Sequence, residues 1–243
     1  MSVLAIETAT ERMGAALVND TRVLSLFELL AERPHAIELP QAVTRVLQAG
    51  GETLAHLEGI AIDIGPGSFT GLRIGLSFVK ALALVRPVPV IAVPSLDVLA
   101  SAVPFARDLV CSIIDAKQHK VYAAFYRADG ARMAKQSDYS LWTLEELLQQ
   151  VGSQRVLFVG DGAGVYRQQL AERLGERATF ADPEWWYPQS AVLGRLGLAR
   201  LRAGQRDHPK DLVPMYLHPM TCTIKQPVPM PSVAQAAAPV SKT

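Results

Sequence analysis

At 243 residues the chain can bury roughly 70–75% of its unfolded surface, so folding requires neither a disulfide nor a structural metal. With 24 basic and 23 acidic residues the net charge is +1, which excludes a protein that grips RNA unaided, because such chains carry a basic surplus. Cys111 and Cys222 are too few for a disulfide framework or a zinc knuckle and fit a reducing cytoplasm.

The start, Met1-Ser2-Val3-Leu4-Ala5-Ile6-Glu7, lacks the basic opening of a signal peptide. No apolar run reaches the length of a membrane span. Residues 3–6, 14–18 and 23–30 read as a meander of strands, with Asn19-Asp20 as a turn. Residues 34–50 follow as a helix in which Pro40 demands a start or a kink, and Gly50-Gly51 ends it. An apolar strand over 59–64 halts at Gly65-Pro66-Gly67, residues that cannot continue a ladder. Ser68 then stands where a helix N-cap belongs. The helix it opens runs to about Arg86, and Pro87 stops it. A strand over 88–93 and a helix over 95–102 complete the first half.

After Pro104 the order begins again. A strand over 109–114, a polar connection over 115–120 and a returning strand over 121–126 precede the Asp129-Gly130 turn. A helix over 142–151 capped by Thr143, a strand over 155–159, helices over 165–174 and 188–202 and an extended piece over 213–217 follow. Strands then helices, twice, predict two α/β lobes. The first covers 1–104. The second, smaller one covers 105–220, with its last helix returning to the first lobe. Residues 221–243, rich in Pro, Ala, Val and Ser without period, are expected to be a disordered tail.

The helix after Ser68 is the informative element. Leu72, Ile74, Leu76, Phe78, Val79, Leu82, Leu84 and Val85 cover most of its circumference, leaving Arg73, Ser77 and Lys80 as a polar stripe. A surface helix needs one apolar stripe; this one predicts cover on two sides. Gly71 and Gly75, four apart, would let a second helix come close.

Other motifs are ambiguous alone. Gly65-Pro66-Gly67-Ser68 at a helix N-terminus fits an anion or a tight turn, and no Gly-Lys-Ser/Thr makes it a Walker loop. Gly160-Asp161-Gly162-Ala163-Gly164 resembles half of a dinucleotide fingerprint, with the third glycine misplaced. Glu7-Thr8-Ala9-Thr10 after the first strand could hold a metal-bound phosphate or form a solvated turn. His35, His56, His119, His208 and His218 lack metal-ligand spacing, which speaks against a zinc peptidase. Arg195, Arg202 and Arg206 form a small basic face, solvated or turned to tRNA.

Together these pieces resemble one family. The opening 3–10, the long Ile64-Gly65-Pro66-Gly67-Ser68-Phe69-Thr70-Gly71-Leu72-Arg73-Ile74-Gly75 match, Ile114-Asp115-Ala116 with Val121-Tyr122, Val159-Gly160-Asp161-Gly162 and Val213-Pro214-Met215-Tyr216-Leu217 are similar, in order, to the TsaB (YeaZ) family. The resemblance covers about residues 1–217. It implies a two-lobed fold of the actin, sugar-kinase and heat-shock ATPase (ASKHA) type with a degenerate active site. It further implies a cytoplasmic, non-catalytic subunit that supports a TsaD-like transferase in threonylcarbamoylation of adenosine 37 of tRNA. A helix bundle would join the two, the ATPase TsaE would join that pair, and tRNA would be met only within the complex. The chain alone is expected to form a homodimer and to have no membrane contact. It should carry no cofactor of its own, any ATP or ADP sitting at the joint.

The expected partner-facing positions are His35, Leu39, Val43, Gly71, Ile74, Gly75 and Phe78. The corresponding vestigial nucleotide site comprises Glu7, Thr8, Gly67 and Gly162. TsaD-like chains carry two metal-binding histidines where this one reads Pro94-Ser95-Leu96-Asp97-Val98-Leu99, so metal-dependent transfer is not expected. The alternative is an active small ATPase or kinase of the same fold, working from Glu7 and the two glycine loops.

Overall fold

The computed structural model describes residues 1–30, 35–130 and 132–217. Strands β1 (Ser2–Glu7), β2 (Arg12–Asn19), β3 (Val23–Leu30), β4 (Gly59–Asp63) and β5 (Val90–Val93) form a sheet in the order β3-β2-β1-β4-β5. β1, β2 and β3 are antiparallel, whereas β4 and β5 run parallel to β1. β1 is apolar throughout because both of its faces are covered. Leu4 and Ile6 pack under α1 (His35–Ala49) and α2 (Phe69–Val85), against Leu39, Val46, Leu76 and Val79. Val3 and Ala5 face the other way, toward Val98 of α3 (Ser95–Ser101) and Leu193, Leu198 and Leu201 of α7 (Ser190–Arg202).

The second sheet contains β6 (Leu109–Asp115), β7 (Lys120–Asp129), β8 (Arg132–Lys135), β10 (Val156–Val159) and β11 (Ala178–Phe180) in the order β11-β10-β6-β7-β8, with β9 (Ser140–Thr143) also on β7. Here β6 takes the place of β1, with an antiparallel strand on one side and parallel strands on the other. Each lobe therefore repeats one topology, the two-lobed arrangement that the resemblance implies. α4 (Leu144–Val151), α5 (Asp161–Val165) and α6 (Arg167–Leu174) cover one face of the second sheet. Leu96 and Leu99 of α3 fill the other, so that α3 is shared between the lobes. α7 follows the second sheet in the chain yet closes the first.

Local chemistry shifts several expected boundaries. α4 begins at Leu144 because Thr143 is its cap, in a reciprocal capping box with Glu146. The stretch 165–174 breaks at Tyr166, and the glycine run before it is itself the short helix α5. α1 runs through Pro40, whose missing amide removes a single bond. Residues 213–217 form no ladder; Met215 N donates to Ile64 O at 2.7 Å instead. Pro34 and the expected tail, 221–243, lie outside the described residues. Among the described residues no helix is long and apolar enough to cross a membrane.

Candidate partner interface

The Gly65-Pro66-Gly67 loop lifts the chain from β4 into α2. Ser68 Oγ accepts from Gly71 N at 3.2 Å, capping the helix. Ser68 N donates to Ala9 O at 2.6 Å, which fastens the helix start to the β1–β2 connection. The fit there is close. A Cβ on Gly67 would fall 2.1 Å from Ala9 O, and one on Gly71 2.1 Å from Thr8 O. A Cβ on Gly75 would fall 2.2 Å from Thr8 Oγ1.

These contacts correct the expected interface. Gly71 and Gly75 face the sheet, because the helix must come close to Thr8, and they are buried. Val43 is also inside, in the core beneath α1. His35 is half-buried, its Nε2 2.8 Å from Thr10 O. Leu39, though buried, lies on the floor of a groove of about 560 Å³ between α1 and α2, where Ile74 and Phe78 form one wall and Ala36 and Pro40 the other. Phe69 stands at its mouth, 55% exposed. Arg73 lies over the Phe69 ring, 3.8 Å from its centroid, and donates through Nε to Tyr216 Oη at 3.1 Å. Ile37, 61% exposed on α1, adds to the apolar surface. Phe69 and Ile37 were absent from the expected set; helical spacing groups residues by face but does not say which face meets the sheet.

The expected nucleotide site is not open either. Glu7 and Thr8 are fully buried, so Glu7-Thr8-Ala9-Thr10 is neither a solvated turn nor a phosphate cradle. Gly67 is pressed on the Ala9 carbonyl, leaving no room for a phosphate between them. In the second lobe a Cβ on Gly162 would meet Ile113 Cγ1 at 2.8 Å. Glu7 and Thr8 are thus sealed and Gly67 is close-packed, whereas the closeness of Gly162 to Ile113 concerns one side of that glycine only.

What the strand ends do carry is a paired acid in each lobe. Glu7 ends β1 beside Asp63 of β4. Asp115 ends β6 and donates its backbone N–H to Asp161 Oδ1 at 3.1 Å, after β10. Asp115 also accepts from Lys117 Nζ at 2.8 Å and Tyr166 Oη at 3.1 Å. Burial lifts Asp161 to about 6. The signal for these pairs was present in the sequence, as an acid at the end of each central strand.

The expected basic face divides. Arg202 pairs with Asp20. Arg206 lies beyond α7 and donates to Leu201 O at 3.4 Å, a carbonyl of the last turn that also accepts from Gly204 N. Arg195 remains exposed, beside Arg132, on a hollow of about 510 Å³. Among the described residues no group of three His, Cys, Asp or Glu could hold a metal.

A profile described as TsaD, tRNA N6-adenosine threonylcarbamoyltransferase, matches residues 29–224. The chain is 28% identical over 220 residues to the tRNA threonylcarbamoyladenosine biosynthesis protein TsaB of Bacillus subtilis, covering 89% of this chain and 94% of that one. It is 38% identical over 131 residues to TsaB of Escherichia coli, covering 53% and 56%. A solved YeaZ from Pseudomonas aeruginosa superposes with a TM-score of 0.77 at 28% identity, over 89% of this chain and 99% of that one. The profile match, the two relatives and the shared architecture lead to one conclusion: the chain belongs to the TsaB (YeaZ) family.

Proposed function

We propose that the chain acts in tRNA threonylcarbamoyladenosine biosynthesis as a non-catalytic subunit, docking a TsaD-like transferase on the groove between α1 and α2. The observation that carries this reading is the groove itself. It is largely apolar, with the exposed Phe69 on its lining and the exposed Ile37 elsewhere on α1, and solvent-facing apolar surface of this kind marks a protein-binding site. Left uncovered, the same face pairs with a second copy. TsaE joins once the transferase is bound, and tRNA meets the pair rather than this chain alone, in keeping with a net charge of +1 and with two of the three late arginines being occupied.

Catalysis by the chain itself is disfavoured by its strand ends. The rival ATPase or kinase needs a carboxylate that a phosphate can reach, and Glu7 is sealed. Where the resemblance puts the metal-binding histidines of the transferase, Ser95 is committed to Asp63 through a 2.6 Å hydrogen bond. Co-purification with a TsaD-like transferase tests the docking. The wild-type chain should retain the transferase, and Ile37→Glu with Phe69→Glu should lose it while staying folded. Retention by the double variant would move the interface elsewhere.

A further inference from the structure

Ile6 pairs with Ile62 in the parallel β1–β4 ladder, which sets the next residues, Glu7 and Asp63, side by side. Both side chains are wholly buried, and their carboxyls contact one another. Each has one oxygen satisfied. Glu7 Oε1 accepts from Ala9 N at 2.7 Å. Asp63 Oδ1 accepts from Gly65 N at 2.7 Å and from Ser95 Oγ at 2.6 Å. Among the described residues the remaining oxygens, Glu7 Oε2 and Asp63 Oδ2, have no hydrogen-bond partner.

Two ionised carboxylates cannot share such a place without a counter-charge. Among the described residues the surrounding elements bring none. β3 contributes Glu28, already bridged to Arg12, and α3 contributes Asp97, already bridged to Arg200. α1 contributes His35, committed to the Thr10 carbonyl. α2 meets this point with Gly71 and Gly75, and α7 with Ser190, which donates to Glu28.

We propose that Glu7 and Asp63 hold a single proton between Oε2 and Oδ2, and that this proton couples the platform beneath α1 and α2 to the ionisation of the pair. Asp63 is the ionised partner, because two donors already converge on its Oδ1, a pattern that favours charge. Glu7 carries the proton and donates it to Asp63 Oδ2, which satisfies both otherwise orphaned atoms at once. Burial, and then the charge of Asp63, hold Glu7 well above the usual carboxylate range.

The platform is the segment 8–10. Glu7 holds Ala9 N, and Ala9 O holds the amide of the α2 cap. Thr8 abuts α2 at Gly71 and Gly75, and Thr10 O holds the first residue of α1. Loss of the proton would place two repelling charges under the starts of both helices. The consequence for docking rests on the reading of the α1–α2 groove given above; the shared proton does not.

Infrared spectroscopy of the full chain reads the proton directly, because a protonated carboxyl has its own carbonyl stretch. At about pH 8, where ordinary carboxyls and Asp161, at about 6, are ionised, one buried acid band is expected in the wild-type chain and none in Glu7→Gln. The glutamine can donate to Asp63 but has no proton to release. Stability adds a second readout. The folded chain keeps a proton that the unfolded chain gives up above about pH 4.3. The folding constant should therefore fall with rising pH by about tenfold per unit more in wild type than in Glu7→Gln. Absence of the band in wild type, equal pH slopes for the two proteins, or a stoichiometric metal ion in the purified chain would each overturn the shared proton. The wild-type band needs no variant to fold. Retention of a TsaD-like transferase, followed across the pH range where the band disappears, should weaken with it. A band that titrates while retention holds steady would overturn the coupling. A band with no retention at any pH would instead remove the docking reading and leave the proton standing.

Discussion

The glycines at the start of α2 are defined by what they touch. Gly67 lies against a backbone carbonyl, whereas Gly75 lies against the Thr8 side chain, which can rotate away. Gly67→Ala should therefore lose about 2–3 kcal/mol of stability, more than Gly75→Ala, as measured by denaturant unfolding. A Gly75→Ala chain of unchanged stability that no longer binds the transferase would restore the outward-facing reading of that residue. Sequence spacing correctly put Gly71 and Gly75 on one face. It could not place that face, because the closeness of Thr8 depends on the β1–β2 connection, distant in sequence. Asp161 offers a test with a sign. Its folded value of about 6 lies above the ordinary aspartate value, through burial. Between the two values the unfolded chain releases its proton first, so stability falls as pH rises through that window and then levels. Asp161→Asn, which keeps the acceptor for Asp115 N, should gain up to about 3 kcal/mol at neutral pH and nothing below about pH 4. Equal stability of the two chains at neutral pH would show that Asp161 is solvated.

At the scale of elements, legibility followed the strength of local signals. β4, the capped α2 and the β1–β3 meander were readable because apolar runs there end on unmistakable turn or capping residues. β8, β9 and β11 were not anticipated: they are four, four and three residues long and half-exposed, too short for a period to emerge. The groove between α1 and α2 was half legible. Ile74, Phe78 and Leu39, expected to face a partner, line it, while the exposure of Phe69 and Ile37 emerged only once the inward side of each helix was fixed by packing. Because Ile37 and Phe69 are exposed by more than half, Ile37→Glu and Phe69→Glu should each shift the melting temperature by no more than a few degrees, in line with exposed sites that change stability by about 0.5 kcal/mol or less. A large drop, seen by thermal denaturation, would mean that these side chains support the fold rather than a partner.

The whole molecule is one topology used twice and interlocked. α3 serves both sheets, and α7 crosses back from the second lobe to cover Val3, Ala5 and Ala16 of the first. A lobe boundary near Pro104 describes the strands but not the core. A chain ending at residue 189 should consequently leave one face of the first sheet bare and fail to form a stable first lobe by circular dichroism and amide exchange, with a peptide of residues 190–217 restoring it. Independent folding of residues 1–104 would contradict this interlocking.

The repeated acid at each strand end belongs to the same scale. In the first lobe it is sealed beneath α2, where a working ATPase would need it open, and Ile37 of α1 and Phe69 of α2 stand exposed instead. The proposed function is a division of labour, with docking here and chemistry on the partner. The most direct test is threonylcarbamoyladenosine formation on tRNA in a reconstituted mixture of the adenylate-forming synthase, a TsaD-like transferase and a TsaE-like ATPase. Product should appear when this chain is added, fail when Ile37→Glu, Phe69→Glu replaces it, and never form with this chain in place of the transferase. Equal product without the chain, or product from the chain in the transferase's absence, would contradict the account.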